Sequence, residues 1–288
     1  MKCFHHDDLD GKCSGAIVKH HYPDCEMISM DYEKDFPFNT IQPEEKIWIV
    51  DFSLQKPGEF KKLCDIVGKE NIVWIDHHQT SIKKIEKEGI TDLKGHRADT
   101  IPSASILTWN FINAPETIPL PSALRAINTW DTWKHDDNPV ILNFICGMGA
   151  YNTDPENPIW EKLLYTKKES LFETIRKKGS TIRSFTEISN KEYIEKFGFE
   201  VQFDSEEFKK YRGLACNVGN GNSKTFGSKI KEYDLVITFI SNGEKYAVRM
   251  YTEKTYLKMN KIAVEYGGGG HPQAAGFECK KLPFSRKK

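Results

Sequence analysis

Nowhere does the 288-residue chain carry an uncharged apolar run near the ~18 residues that would cross a bilayer. Its N-terminus, Met1-Lys2-Cys3-Phe4-His5-His6-Asp7-Asp8, turns acidic before an apolar stretch can form, so no signal peptide is expected. There is no Cys-x-x-Cys pair. The seven cysteines are scattered, which speaks against a disulfide framework and a zinc-thiolate site alike and suits a reducing cytoplasm. Internal repeats and low-complexity linkers are absent too. Net charge is zero, with 41 basic and 41 acidic residues, so the chain lacks the extended basic track that long nucleic-acid strands reward.

What is present fits a folded protein of two domains. Hydrophobic residues make up 39% and charged residues 28%, and the length exceeds one core of ordinary size. Charge is unevenly spread. Residues 197–288 hold 16 Lys and Arg against 10 Asp and Glu, although Arg286, Lys287 and Lys288 read as a tail; residues 1–196 carry the matching acidic excess. An acidic metal-binding half joined to a basic anion-holding half would show this split, and so would uneven solvated surfaces.

Two apolar runs, Ile47-Trp48-Ile49-Val50 and Ile72-Val73-Trp74-Ile75, read as buried strands. Between them, Pro57 to Gly68 has helical spacing, giving a βαβ unit and a parallel sheet. Ser103 to Phe111 and Pro121 to Trp133 read as helices, and Lys162 to Lys196 as a long charge-rich helical stretch joining two domains. In the second half, Leu214–Val218, Leu235–Ile240 and Tyr246–Tyr251 read as strands, with Asn242-Gly243 as a hairpin turn. A helix over Thr255–Glu265 and a strand around Gly276-Phe277-Glu278 follow. The fold class is therefore α/β, an N-terminal parallel-sheet domain plus a smaller C-terminal α/β domain, with the site expected in a cleft between them.

Asp51 and Asp76 each follow a strand directly, where ligand sites of open α/β sheets gather. If His5-His6-Asp7-Asp8-Leu9-Asp10 is extended, His6, Asp8 and Asp10 project to one side. Asp76-His77-His78 and Asp131, in Asn128-Thr129-Trp130-Asp131, complete four acidic and imidazole clusters. Imidazole with carboxylate and no thiolate suits manganese, cobalt or magnesium better than structural zinc. Two divalent cations would balance Asp8, Asp10, Asp51 and Asp131. A pair ~3.5–4 Å apart would serve a phosphoryl displacement. Taken singly, an Asp after a strand is more often a helix N-cap, and His77 or His78 a surface histidine. His20-His21 has no such context and reads as structural.

Gly267-Gly268-Gly269-Gly270-His271 lies between a helix and a strand inside a domain, unlike a flexible linker. Bare amides and freedom of φ suit a backbone cradle for an anion, to which His271 can donate.

This ordered set resembles the DHH phosphoesterases with a DHH-associated C-terminal domain. Asp76-His77-His78 is similar to the name-giving motif, His6-x-Asp8-x-Asp10-Gly11 to the first, Asp51 and Asp131 to the second and fourth, and Gly267–Phe277 to the signature of the associated domain. The resemblance implies a catalytic metal-binding domain over 1–180, a helical linker over 181–196 and a substrate-binding domain over 197–288. It implies two manganese ions, one held by His6, Asp8 and Asp51, the other by Asp10, the bridging Asp51, His77 and Asp131. His78, paired with Asp76 as the catalytic candidates, would face the scissile phosphate or support the site from behind. Arg249, with Gly268, Gly269, Gly270 and His271, would hold the substrate; Arg249 reads equally as a solvated strand-face charge. Many members open on His-x-x-x-Asp-x-Asp. Here that first position is Phe4, so His6 must serve, with His5 its rival.

The wording of the first motif is similar to the nano-RNase branch, which trims very short RNA from the 3′ end to mononucleotides. The expected partner is thus a short single-stranded oligonucleotide. Alternatives are a phosphatase or phosphodiesterase of a small nucleotide such as 3′-phosphoadenosine 5′-phosphate or a cyclic dinucleotide, an exopolyphosphatase, or a nucleotide sensor without catalysis. Tyr251, Tyr256 and Tyr266 are candidates to stack a base, although core packing suits each better.

Overall fold

Two short β-branched and aromatic runs, Ile47–Val50 and Ile72–Ile75, largely buried on both faces, anchor the first sheet. The computed structural model describes residues 1–32, 34–98, 101–113, 119–135, 137–166, 169–219 and 221–287. Two units emerge, Met1–Ile182 and Arg183–Lys288. The first opens with β1 (Lys2–His6), α1 (Leu9–His21), β2 (Glu26–Met30), β3 (Ile47–Val50), α2 (Glu59–Val67) and β4 (Ile72–Ile75). Its strands run β2-β1-β3-β4, every pair parallel.

Alternation along these strands divides them between two cores. Phe4, Ile47, Ile49, Ile72 and Trp74 pack with Phe60 and Leu63 of α2 on one face. Cys3, Trp48, Val50 and Ile75 pack with Val18 of α1 on the other. Covering helices on both faces are what a parallel sheet requires. The edge strand β2, Glu-Met-Ile-Ser-Met, is half-buried and lacks the apolar run that betrays its neighbours.

Five helices follow within this unit: α3 (Gln79–Lys87), α4 (Ala104–Ile112), α5 (Ser122–Asp131), α6 (Pro139–Met148) and α7 (Ile159–Leu164). Cys13, Ala16 and Ile17 of α1 bury against Trp109, Leu124, Ile127, Phe144 and Trp160 from four of them. The stretch read as one helix from Lys162 is two, because α7 ends at Leu164 and α8 spans Ser170–Phe197. The boundary between the units falls inside α8.

The second unit contains β5 (Phe199–Phe203), β6 (Gly213–Asn217), α9 (Lys229–Glu232), β7 (Leu235–Ser241), β8 (Tyr246–Tyr251), α10 (Met259–Glu265), β9 (Gly269–Gly270), β10 (Ala274–Cys279) and β11 (Phe284–Arg286). Its sheet runs β11-β5-β6-β7-β8-β10-β9, and within this sheet β6 with β7 is the one parallel pair among the described residues. Gly243, at φ +97, supplies the hairpin turn. Two expectations are corrected here. The C-terminal segment is no tail: Phe284, Ser285 and Arg286 pair with Phe203, Gln202 and Val201. Helix α10 begins at Met259, after a turn at Thr255-Tyr256. No described helix is long and apolar enough to cross a membrane.

Candidate metal centre

Parallel strands deliver His6, Asp51 and Asp76-His77-His78 to one edge of the first sheet. The order β2-β1-β3-β4 reverses direction between β1 and β3, and ligands of open α/β sheets collect beyond the carboxyl ends at such a reversal. His6 closes β1, and Asp51 follows β3 in the left-handed region at φ +54. Aspartate is one of the few side chains other than glycine that tolerate this conformation, and left-handed residues of this kind cluster at functional sites. The Asp51 amide donates to Ile75 O at 2.9 Å, fixing the turn.

The extended reading of the first motif fails beyond His6. Asp8 is the N-cap of α1, accepting the Gly11 amide at 2.9 Å, and Asp10 lies in the first helical turn. Gly11 is therefore inside the helix rather than before it. A Cβ there would sit 2.4 Å from His6 O, so glycine lets strand end and helix start approach closely. The two rival imidazoles differ in placement. His5 is 2% exposed, with Nδ1 2.8 Å from His6 O, and burial lowers its pKa. His6 points into the cluster.

The acidic and imidazole groups then converge. His6 Nδ1 lies 2.9 Å from Asp8 Oδ2 and 3.8 Å from Asp51 Oδ2. His77 Nε2 lies 3.4 Å from Asp51 Oδ1 and 3.2 Å from Asp131 Oδ2. Three sets of donor atoms each fall within 4.8 Å of one another: His6, Asp8 and Asp51; Asp10, His77 and Asp131; Asp51, His77 and His78. Asp51 and His77 recur, so the sets form one continuous strip.

Other residues orient these groups. Asp76 is fully buried, and its Oδ1 accepts from the amides of His77 and His78 and from His78 Nδ1. It acts on the site through His78. Asp10 accepts from Ser105 Oγ at 2.5 Å and from the Ser105 amide at 3.3 Å, in the first turn of α4. Ser103 Oγ lies 3.1 Å from Ser105 Oγ, and its amide donates to Asn128 Oδ1 at 2.9 Å. Sequence reading passed over both serines, because a Ser-x-Ser before a helix signals a cap and says nothing of a carboxylate 95 positions upstream.

Burial together with like charge dominates the electrostatics. Asp51 is pushed up to about 8 by burial and by Asp10, and Asp131 to about 7 by the same two causes. Burial also raises Asp10. Despite their own burial, His6 and His77 rise to about 10 against Asp51 and the neighbouring carboxylates. Carboxylates that resist ionisation beside imidazoles that hold protons describe a cluster short of positive charge. Both Asp51 oxygens, His6 Nδ1 and Asp131 Oδ2 are buried and make no hydrogen bond of normal geometry. Buried polar atoms left so are costly unless something else binds them. Oxygen and imidazole donors without thiolate fit hard or intermediate divalent cations.

The second unit arranges the remaining candidates on one sheet. Arg249 on β8 is in register with Gly276 on β10, and Gly276 with Gly269 on β9. The glycine run is thus not an open loop throughout, since Gly269-Gly270 forms an edge strand. Gly268 is squeezed, with a Cβ position 2.1 Å from Gly276 O, and Gly270 sits at φ +135. His271 is exposed, its amide donating to Ala274 O at 2.8 Å; Arg249 is exposed apart from a 3.4 Å contact with Gly219 O. The three tyrosines have other partners: Tyr251 donates to Gly221 O, Tyr256 to Asp234, and Tyr266 stacks on Phe277. Around the strip itself, sequence reading missed Tyr32, whose ring centroid is 5.0 Å from that of His6 and 6.1 Å from that of His78.

Fold and cluster together define an α/β protein with a carboxylate–imidazole centre at the carboxyl edge of a parallel sheet. No protein-family model matches the chain, and no curated protein matches it by sequence. Among solved structures it is similar to PggH, the pGpG-specific phosphodiesterase of Vibrio cholerae, with a TM-score of 0.53 and 13% identity over 97% of this chain and 93% of that one. The RecJ–Mn2+ complex of Thermus thermophilus scores 0.48 at 14% identity, over 96% of this chain and 49% of that one. A second manganese-bound exonuclease RecJ scores 0.47 at 13%, over 96% and 84%. The likeness to PggH shows a shared fold, and in the order of its motifs the chain resembles the DHH phosphoesterases.

Proposed function

We propose that this chain is a manganese-dependent phosphoesterase that hydrolyses phosphodiester bonds of short oligonucleotides, releasing mononucleotides from the 3′ end. The observation that carries the reading is Asp51: a carboxylate 1% exposed, with neither oxygen in a hydrogen bond of normal geometry, between His6 and His77 at the sheet reversal. His6, Asp8 and Asp51 would hold one divalent cation, and Asp10, Asp51, His77 and Asp131 a second, with magnesium or cobalt able to substitute. When bound, such a pair supplies a hydroxide near neutral pH and stabilises attacking and leaving oxygens.

The chain's own groups do the rest. Asp76 commits Nδ1 of His78, which leaves Nε2 for a phosphate oxygen or the leaving group. Burial works against a proton on His78, but Asp76 and Asp51 carry its pKa above the ordinary value, favouring the imidazolium as donor. On the second unit, Arg249, His271 and the glycines 268–270 are the groups proposed to hold substrate. The lack of a net positive charge supports a short substrate over a long strand.

The test is a substrate panel with added Mn2+: pGpG, the dinucleotide named for the Vibrio protein, then other diribonucleotides, 3′-phosphoadenosine 5′-phosphate and a cyclic dinucleotide. Mononucleotides should accumulate from the linear dinucleotides, and His77→Ala should fold yet lose turnover about a thousandfold. Wild-type turnover in His77→Ala would remove the metal assignment. Inorganic phosphate as the main product would replace the exonuclease reading with a phosphatase.

A further inference from the structure

We infer that Trp133 is a stacking platform for a base of the substrate, which makes the site choose nucleotides over bare phosphate chains; this rests on the phosphoesterase reading above. Helix α5 ends at Asp131, with Thr132 as its cap. The Trp133 amide donates to Trp130 O at 3.1 Å and the Lys134 amide to Thr129 O at 3.0 Å. These two bonds are the Schellman arrangement, which places Trp133 at the position where a left-handed residue, usually glycine, ends a helix. Trp133 adopts that conformation, at φ +57, and is 80% exposed.

Such a residue is expensive twice. A bulky side chain is disfavoured at positive φ, and a large apolar ring left in water gains nothing from burial. Glycine would end the helix at no such cost, so the indole is not there for the fold. Uncompensated local cost of this kind points to function.

Position says which function. Trp133 follows Asp131 by two residues, so their Cα atoms are at most about 7.6 Å apart. Asp131 faces His77 at 3.2 Å, inside the donor strip. Beside the indole stands the His135 ring, with its centroid 6.1 Å away, and the next residue in the chain is the exposed Lys134. His135 is itself stacked on Trp130 at 5.1 Å and 25°. An exposed flat apolar face, two residues from a candidate ligand of the donor strip and followed by a lysine, is the chemistry that takes a purine or pyrimidine attached to phosphate.

The experiment compares pGpG with its abasic analogue, two ribose phosphates joined by the same 3′–5′ linkage, on the full chain with Mn2+. Trp133→Ala should raise the Michaelis constant for pGpG about tenfold, a typical loss for one stacked base. The constant for the abasic analogue should be the same in both proteins. Trp133→Phe should restore most of the loss, and melting temperature and Mn2+ uptake should stay as in the wild type. An unchanged constant for pGpG in Trp133→Ala, or equal losses on both substrates, overturns the platform while leaving the phosphoesterase intact. Should the wild type cleave neither substrate, the functional reading fails by itself. Titration with guanosine 5′-monophosphate then decides the platform: about tenfold weaker binding in Trp133→Ala supports it, and equal binding overturns it.

Discussion

His78 Nδ1 donates to Asp76 Oδ1 at 2.7 Å, and the same oxygen accepts the amides of His77 and His78 at 2.8 and 3.1 Å. One carboxylate oxygen thus sets both the turn after β4 and the orientation of the ring. Asp76→Asn keeps an acceptor oxygen for the turn but removes the charge. The His78 pKa should fall toward its ordinary value, and turnover should drop about 10- to 100-fold, as for other residues that orient site imidazoles. A ring-proton NMR titration beside steady-state kinetics checks both. Normal turnover would confine Asp76 to the turn.

Proton linkage gives a second expectation, for protein kept metal-free with chelator. Asp51 binds its proton up to about pH 8 in the folded state, and His6 and His77 up to about pH 10, all above their unfolded values. The folded state therefore holds more protons than the unfolded one between about pH 4 and 10, and stability should fall as pH rises through that window. Asp8, lowered to about 2 by His6 against the effect of burial, contributes with the opposite sign only below its unfolded value. Added Mn2+ must displace those protons, so uptake should tighten with pH and flatten or reverse the decline. Thermal melts from pH 5 to 9, with chelator and with Mn2+, read the two slopes. A metal-free melting temperature that climbs over this range would contradict the linkage.

Gly11 lies where an added Cβ would meet His6 O at 2.4 Å and His6 Cβ at 2.7 Å. Alanine is worth about 1 kcal/mol over glycine in a helix interior, so propensity alone favours Gly11→Ala. The contact reverses that sign, because the His6 backbone must shift. We expect lower stability and at least about tenfold weaker Mn2+ binding, measured by calorimetry. Unchanged affinity would mean that the strand end moves without cost.

Ser105→Ala should act on the strip through Asp10, while also breaking the contact with Ser103 Oγ. The hydroxyl donates to a buried carboxylate at 2.5 Å, and its loss should cost about 1–3 kcal/mol. Asp10 would then hold its proton more tightly, so the deficit in metal binding should be largest at low pH and shrink as pH rises. Ser105→Thr, which keeps the hydroxyl, should recover most of the loss. Equal deficits at pH 6 and pH 9 would exclude this mechanism.

Legibility in the sequence followed burial. Strands β3 and β4 announced themselves because both faces are covered and every position is apolar. The edge strand β2 and the closing strand β11 did not, since most of their positions are at least partly exposed. Candidate ligands were legible as residue types after strands, yet the stated reason for Asp8 and Asp10 was wrong. They share a site because a helix starts at Leu9, not because a strand continues. The left-handed turn at Asp51 and the reach of Ser105 to Asp10 are tertiary facts that no local pattern encodes. Trp133 was visible as a letter but read as helix, since nothing local marked the Schellman turn.

The donor strip draws on both ends of a long contour, from His6 in the first strand to Asp131 at the close of α5. During synthesis, the strip's candidates up to His78 emerge well before Asp131. Under the proposed assignment the second cation's set closes only when α5 is made, and a fragment stopping short of α5 would lack the carboxylate that meets His77.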